Sequence, residues 1–113
     1  MDDTSQILIP ESFQALYLDP LRRRPRIDRQ QIAARYELSE DLAQELTEPA
    51  LARLHGLSIT ETDVLDRTLA GLQGPDAPVA PDEARWVVQR LAELLNWPAW
   101  REARDPTPSG DTA

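Results

Sequence analysis

The residues best equipped for chemistry in this chain are arginines. Five of them, Arg22, Arg23, Arg24, Arg26 and Arg29, fall within eight positions of the stretch LDPLRRRPRIDRQQ, residues 18–31. Guanidinium groups at that density suit bidentate pairing with phosphates or carboxylates. With Asp28 the 22–29 segment carries +4, against −12 for the remaining residues of a chain whose net charge is −8. A nucleic acid would meet a small basic loop on a repulsive body, whereas polyanion-binding proteins usually present a whole basic domain. A nearer set of anions is the segment from Glu37 to Glu48, with five carboxylates and no base. The loop is therefore expected first to be neutralised within the chain or simply solvated, and next to meet an acidic protein partner. Nucleic acid and anionic lipid rank last.

Other reactive chemistry is sparse. No cysteine is present, which removes disulfides, thiolate metal ligands and thiol nucleophiles together. All twelve basic residues are arginine, and without lysine or a G-x-x-x-x-G-K-[ST] run a phosphate-binding P-loop is impossible. The single histidine, His55, stands beside Gly56 at a helix end, where an imidazole meets terminal carbonyls rather than a catalytic partner. Asp63 and Asp66 share a helical spacing, but exposed acidic faces look the same, and Asp63 lies four residues before Arg67. The expectation is a non-enzyme, with no catalytic residue, no metal and no cofactor.

Three tryptophans, Trp86, Trp97 and Trp100, occupy the C-terminal quarter. On a helix Trp86 falls with Gln89, Arg90 and Glu93, off the main apolar stripe, so Arg90 at i+4 is placed to stack on its indole. Trp97 and Trp100 flank Pro98. Either these rings fold back to close the core, or with Arg90 they form a binding patch, since Trp and Arg dominate interface hot spots. Candidate partner-binding residues are thus Arg22, Arg23, Arg24, Arg26, Arg29, Trp86, Arg90, Trp97 and Trp100.

The elements that must position these groups are short helices. At 113 residues the length suits one domain, and ten prolines interrupt it often. Phe13, Leu16 and Tyr17 have helical spacing, and Asp19-Pro20 ends that helix. Asp28 is an N-cap for a helix carrying Ile32, Ala33 and Tyr36. Ser39 offers a second cap before Leu42, Ala43 and Leu46, and Thr47 a third with Pro49 in the first turn. Leu51 and Leu54 continue the stripe to Gly56. SITE, residues 58–61, reads as a capping box of Ser58 and Glu61 ahead of Val64, Leu65, Leu69 and Leu72. Pro81 opens the best helix, with Asp82 and Glu83 in its first turn and Ala84, Val87, Val88, Leu91, Leu94 and Leu95 as its core face.

No segment alternates in the manner of a strand. The expected architecture is all-α, a compact orthogonal bundle of four to six short helices over residues 6–100, with a flexible N-terminus at 1–5 and a disordered tail at 101–113. Residues 30–46, QQIAARYELSEDLAQEL, have the spacing of a helix-turn-helix unit, although Glu37 stands where the sharp turn is usually glycine. A recognition helix there would hold Glu40, Asp41, Glu45 and Glu48 toward DNA without one arginine, which opposes binding. Such a pair suits a scaffold better than a DNA reader. The N-terminal MDDTSQILIP lacks a basic segment, and Ile7, Leu8 and Ile9 are too few for a signal peptide or membrane span, so a cytoplasmic protein without membrane contact is expected.

Taken together, ILIPESFQALY, IAARYELSEDLAQ, ITETDVLDRTLAGL and EARWVVQRLAELLNWP resemble a family of small, poorly characterised bacterial proteins, over residues 7–98. Some members carry the label of an ATPase with chaperone activity. The resemblance implies no catalytic residues, and the missing P-loop speaks against hydrolysis here, so it implies at most association with a chaperone ATPase. The leading expectation is a non-enzymatic protein-protein interaction module, an adaptor or regulatory subunit. The alternative is a helix-turn-helix-like nucleic-acid-binding regulator using the Arg22–Arg29 loop.

Overall fold

Helix α5, Pro81–Leu94, organises the chain, as its sequence predicts. Pro81 starts it at a position whose N–H needs no partner, and Asp82 and Glu83 meet the positive end of its dipole. Seven of its residues are buried, among them Ala84, Val87, Val88 and Leu91 at 0% exposure. Each large side chain so placed stabilises the fold by roughly 1.5–3 kcal/mol. The computed structural model that gives these details describes residues 8–19, 21 and 25–101.

The remaining elements are α1 (Glu11–Gln14) with a 3-10 turn at Ala15–Tyr17, α2 (Arg29–Glu45), α3 (Thr47–Leu57) and α4 (Glu61–Gly71). The molecule is a small all-α bundle: α5 packs most extensively on α2 and also touches α1 and α4, while α3 lies on α2 and α4. Pairings of Arg35 with Glu83, Tyr36 with Trp86 and Glu40 with Arg90 advance together, so α2 and α5 run in the same direction. Among the described residues there is no strand, and no helix is long and apolar enough to cross a membrane.

The helix-turn-helix-like unit expected at 30–46 does not form. Residues 29–45 are one uninterrupted helix, entered through a capping box of Asp28 and Gln31. Its interior has neither Gly nor Pro and is rich in Ala, Leu, Gln and Glu, so nothing competes with helix propagation at Glu37. Ser39 is therefore no cap; it is wholly buried, and its hydroxyl has no hydrogen-bond partner. The break comes at Leu46, because Pro49 cannot donate to the carbonyl of Glu45 and its ring collides with it. Thr47 does not cap α3 either: its hydroxyl donates to the Gln44 carbonyl at 2.8 Å and ties off the end of α2.

The SITE box is displaced by two residues. Ser58 adopts the left-handed conformation that ends α3 (φ 55°), which is incompatible with the extended backbone of an N-cap. Thr60 takes that role instead and exchanges hydrogen bonds with Asp63. Downstream the expected stripe is intact, with Val64, Leu65, Leu69 and Leu72 all buried. The expected α3 stripe is kept only in part: Leu54 packs half-buried against the core beside buried Ala50, but Leu51 is 38% exposed.

Ser39→Ala separates the two roles of that residue. An N-cap serine replaced by alanine costs about 1 kcal/mol, whereas removing an unpartnered hydroxyl from a helix interior gains roughly 0.5–1 kcal/mol. Urea unfolding of the variant is expected to give a higher midpoint with an unchanged slope.

Candidate functional site

Phe13, Tyr17, Tyr36 and Trp86 form one aromatic cluster. The Phe13 ring lies 5.5 Å from Tyr17, 5.6 Å from Tyr36 and 5.0 Å from Trp86, with Tyr36 and Trp86 at 5.8 Å and nearly perpendicular. These edge-to-face contacts fasten α1 to the α2–α5 pair. Trp86 is only 8% exposed and donates its indole N–H to Ser12 at 3.0 Å. It thus belongs to the core, contrary to its position off the main apolar stripe. The expected stacking of Arg90 on this indole is replaced by ion pairs: Arg90 donates to both oxygens of Glu40, at 2.8 and 3.1 Å, and to Glu93 at 3.0 Å.

Beneath this cluster lies a buried carboxylate that sequence reasoning assigned only to the helix dipole. Glu83 accepts two hydrogen bonds from the Arg35 guanidinium, at 2.6 and 2.9 Å, one from the Tyr17 hydroxyl and one from the Ala80 N–H at 2.8 Å. Arg35 also donates to the Pro78 carbonyl at 3.2 Å. The only local signal is Glu83 at N3 of its helix, where it serves the N-cap N–H; partners 48 and 66 residues away leave no trace in spacing. Burial pushes the Glu83 carboxyl up, but Arg35, Tyr17 and Ala80 outweigh that and hold it below the usual carboxylate range. Burial, then the bond to Glu83, drives the Tyr17 phenol upward. Arg90, with help from Gln44 and against burial, holds Glu40 low as well.

Two concavities adjoin along the outer face of α5. The first, about 320 Å³, is lined by Ser12, Tyr36, Trp86, Gln89, Arg90 and Glu93, along with Pro10. The second, about 390 Å³, is lined by Gln89, Glu93, Trp97, Trp100 and Arg101 among others. Gln89 and Glu93 belong to both, so the four C-terminal candidates, Trp86, Arg90, Trp97 and Trp100, border one continuous face. The chain reverses there through a Schellman motif: Asn96 is left-handed (φ 60°), its N–H reaches the Glu93 carbonyl, and the Trp97 N–H reaches that of Ala92. That reversal lays Trp100 over the bundle, 6% exposed, with its indole N–H donating to Asp66 at 2.9 Å. Trp97 stays half-buried.

The basic loop fares differently. Arg22, Arg23 and Arg24 lie outside the described residues. At the loop's base Leu18 bridges Pro25, and the Arg26 N–H donates to the Tyr17 carbonyl at 2.6 Å. Arg26 itself caps the Leu16 carbonyl at 2.9 Å and sits 5.7 Å above the Tyr17 ring. Arg29 opens α2. Of the acidic segment expected to meet this loop, Glu40 is taken by Arg90 of α5. His55 is exposed in the last turn of α3, and no cluster of three His, Asp or Glu able to hold a metal occurs among the described residues.

A small all-α bundle with an aromatic, charge-lined helix face is the class that fold and site define. Set against known family models, curated proteins and solved structures, the chain has no match.

The Glu83 network sets the response to acid. A carboxyl held low in the folded state contributes stability that is fully present above its unfolded pKa, about 4.3, and is lost as pH falls through the folded value. Unfolding free energy is expected to be level near neutrality and to drop below about pH 4.5, with a smaller drop in Glu83→Gln. Glu83→Ala should cost about 2–3 kcal/mol by urea titration, less than a fully buried pair, because Arg35 keeps 36% of its side chain in water.

Proposed function

We propose that this chain is a non-enzymatic protein-protein interaction module, an adaptor or regulatory subunit, which seats a segment of a partner along the outer face of α5. The observation that carries this reading is the pair of adjoining concavities sharing Gln89 and Glu93 and bordered by three tryptophans and two arginines. Concave, partly apolar surfaces with a few placed polar groups are where ligands seat, and Trp and Arg are enriched among interface hot spots; of the three indoles here, half-buried Trp97 is left most accessible. A second contact surface is the basic loop at 22–29, beside Leu18 and Leu21, which are 43% and 92% exposed. Its chemistry suits an acidic partner, and two surfaces of different character are what an adaptor needs.

Direct reading of DNA has less support, because the helix expected to enter a groove is the middle of α2. The absence of cysteine and of a spanning helix among the described residues agrees with a cytoplasmic setting. The resemblance over residues 7–98 makes a chaperone ATPase one partner to test.

Full-length chain immobilised as bait should retain a specific protein from a lysate of its native cell. Gln89→Arg, at a position common to both concavities, is expected to lose that protein, while Glu48→Gln in the first turn of α3, which lines neither, keeps it. Identical captures by both variants would overturn the assignment of the face. Tight binding of generic DNA or RNA that weakens steeply with salt would overturn the module itself.

A further inference from the structure

Resting on that reading, we infer that the concavity between α1, α2 and α5 takes a basic side chain, arginine or lysine, from the docked segment. Two rings line it: half-buried Tyr36 and Trp86, which is 8% exposed, meet edge to face at an interplanar angle of 76° with centroids 5.8 Å apart. Cations are attracted to such ring faces by their quadrupole.

Charge decides between a cationic and an anionic guest. Arg90 lines the cavity, but its guanidinium is already held by Glu40 and by Glu93. The ion group Glu40–Arg90–Glu93 carries a net charge of −1, with Arg90 and Glu93 lining the cavity and Glu40 pairing with Arg90. On the two neighbouring helices Glu37 and Asp41 of α2 and Glu11 of α1 are exposed, against one cation, Arg101, in the adjoining concavity. The chain as a whole carries −8. An incoming carboxylate would have to displace Glu93 and approach through this field, whereas a guanidinium or ammonium is drawn in by it. Glu93, 69% exposed, is free to swing toward the newcomer, and the Gln89 amide, common to both concavities, supplies an acceptor. Arg90 remains bound to Glu40, whose side chain is only 17% exposed.

The test titrates the ¹⁵N-labelled full chain with three blocked tripeptides, Gly-Arg-Gly, Gly-norleucine-Gly and Gly-Glu-Gly, followed through the indole N–H of Trp86 and the backbone N–H of Gln89. The arginine peptide is expected to shift both signals saturably and more weakly as salt rises; the other two should leave them in place. Glu93→Lys should abolish the response, and Tyr36→Leu should weaken it roughly two- to fivefold. Circular dichroism and thermal unfolding confirm the fold of each variant, and Tyr36→Phe, which keeps the ring, should bind as the parent does. Equal shifts from the norleucine peptide, preference for the glutamate peptide, or no shift at all would overturn the inference. So would concentration-dependent self-association that moves the same two signals and disappears in Arg22/Arg23/Arg24→Ala, since the occupant would then be a second copy of this chain. If the basic peptide fails while Gln89→Arg still loses a captured protein, the docking face stands and only the chemistry of its guest is refuted.

Discussion

Glu83 gathers four hydrogen bonds from three separate parts of the chain: the Tyr17 hydroxyl, the Arg35 fork and the Ala80 N–H. A carboxylate at 3% exposure is tolerable only if nearly every lone pair is engaged, because an unpaired buried charge is strongly unfavourable. That requirement fixes the relation of the segments that satisfy it. Tyr17 can reach Glu83 only if the turn after α1 lies against the start of α5, and Arg35 only if α2 runs alongside. The aromatic cluster around Phe13 then fills the space those three elements enclose. Arg35 also holds the Pro78 carbonyl, so the loop between α4 and α5 is bound into the same node.

One turn or two further along the α2–α5 seam, the Glu40–Arg90–Glu93 group repeats the device at lower burial. The two ion networks differ in consequence. The inner one is closed, with both Glu83 oxygens taken by donors from within the fold. The outer one borders a cavity and retains an exposed carboxylate, Glu93. The same pair of helices thus carries both networks at successive levels, and the outer face of α5 is backed by an opposite face that is core.

Much of the fold was legible locally. Asp28 before α2, Pro81 at the first position of α5 and the stripes at 64–72 and 84–91 act through the backbone or through helical period, and neighbouring residues suffice to specify them. Other local expectations, three of them caps, failed for local reasons that outranked them. Ser39 has the chemistry of a cap, but capping needs an adjacent break, and the residues flanking it are good helix formers. Ser58 and Glu61 have the spacing of a capping box, but the left-handed end of α3 at Ser58 passed the role to Thr60 and Asp63. Within the site, Arg90 was recognised as a residue that would engage something, yet its partner was not the nearby indole but Glu40, 50 residues away.

The sequence by itself determined helix class, most helix starts, the principal core stripes and the absence of thiol and P-loop chemistry, since these follow from residue type and short-range spacing. Tertiary structure decided which charges are paired and which rings are core. Glu83 and Glu93 are both carboxylates of α5, and local pattern separates them only by helix position, N3 against the last turn; it says nothing of their burial. Docking α2 and the Tyr17 turn buries the first among donors, while the second stays at the surface beside Arg90. Coulomb and desolvation terms depend on distance through space and on access to water, and those quantities exist only once the chain has folded.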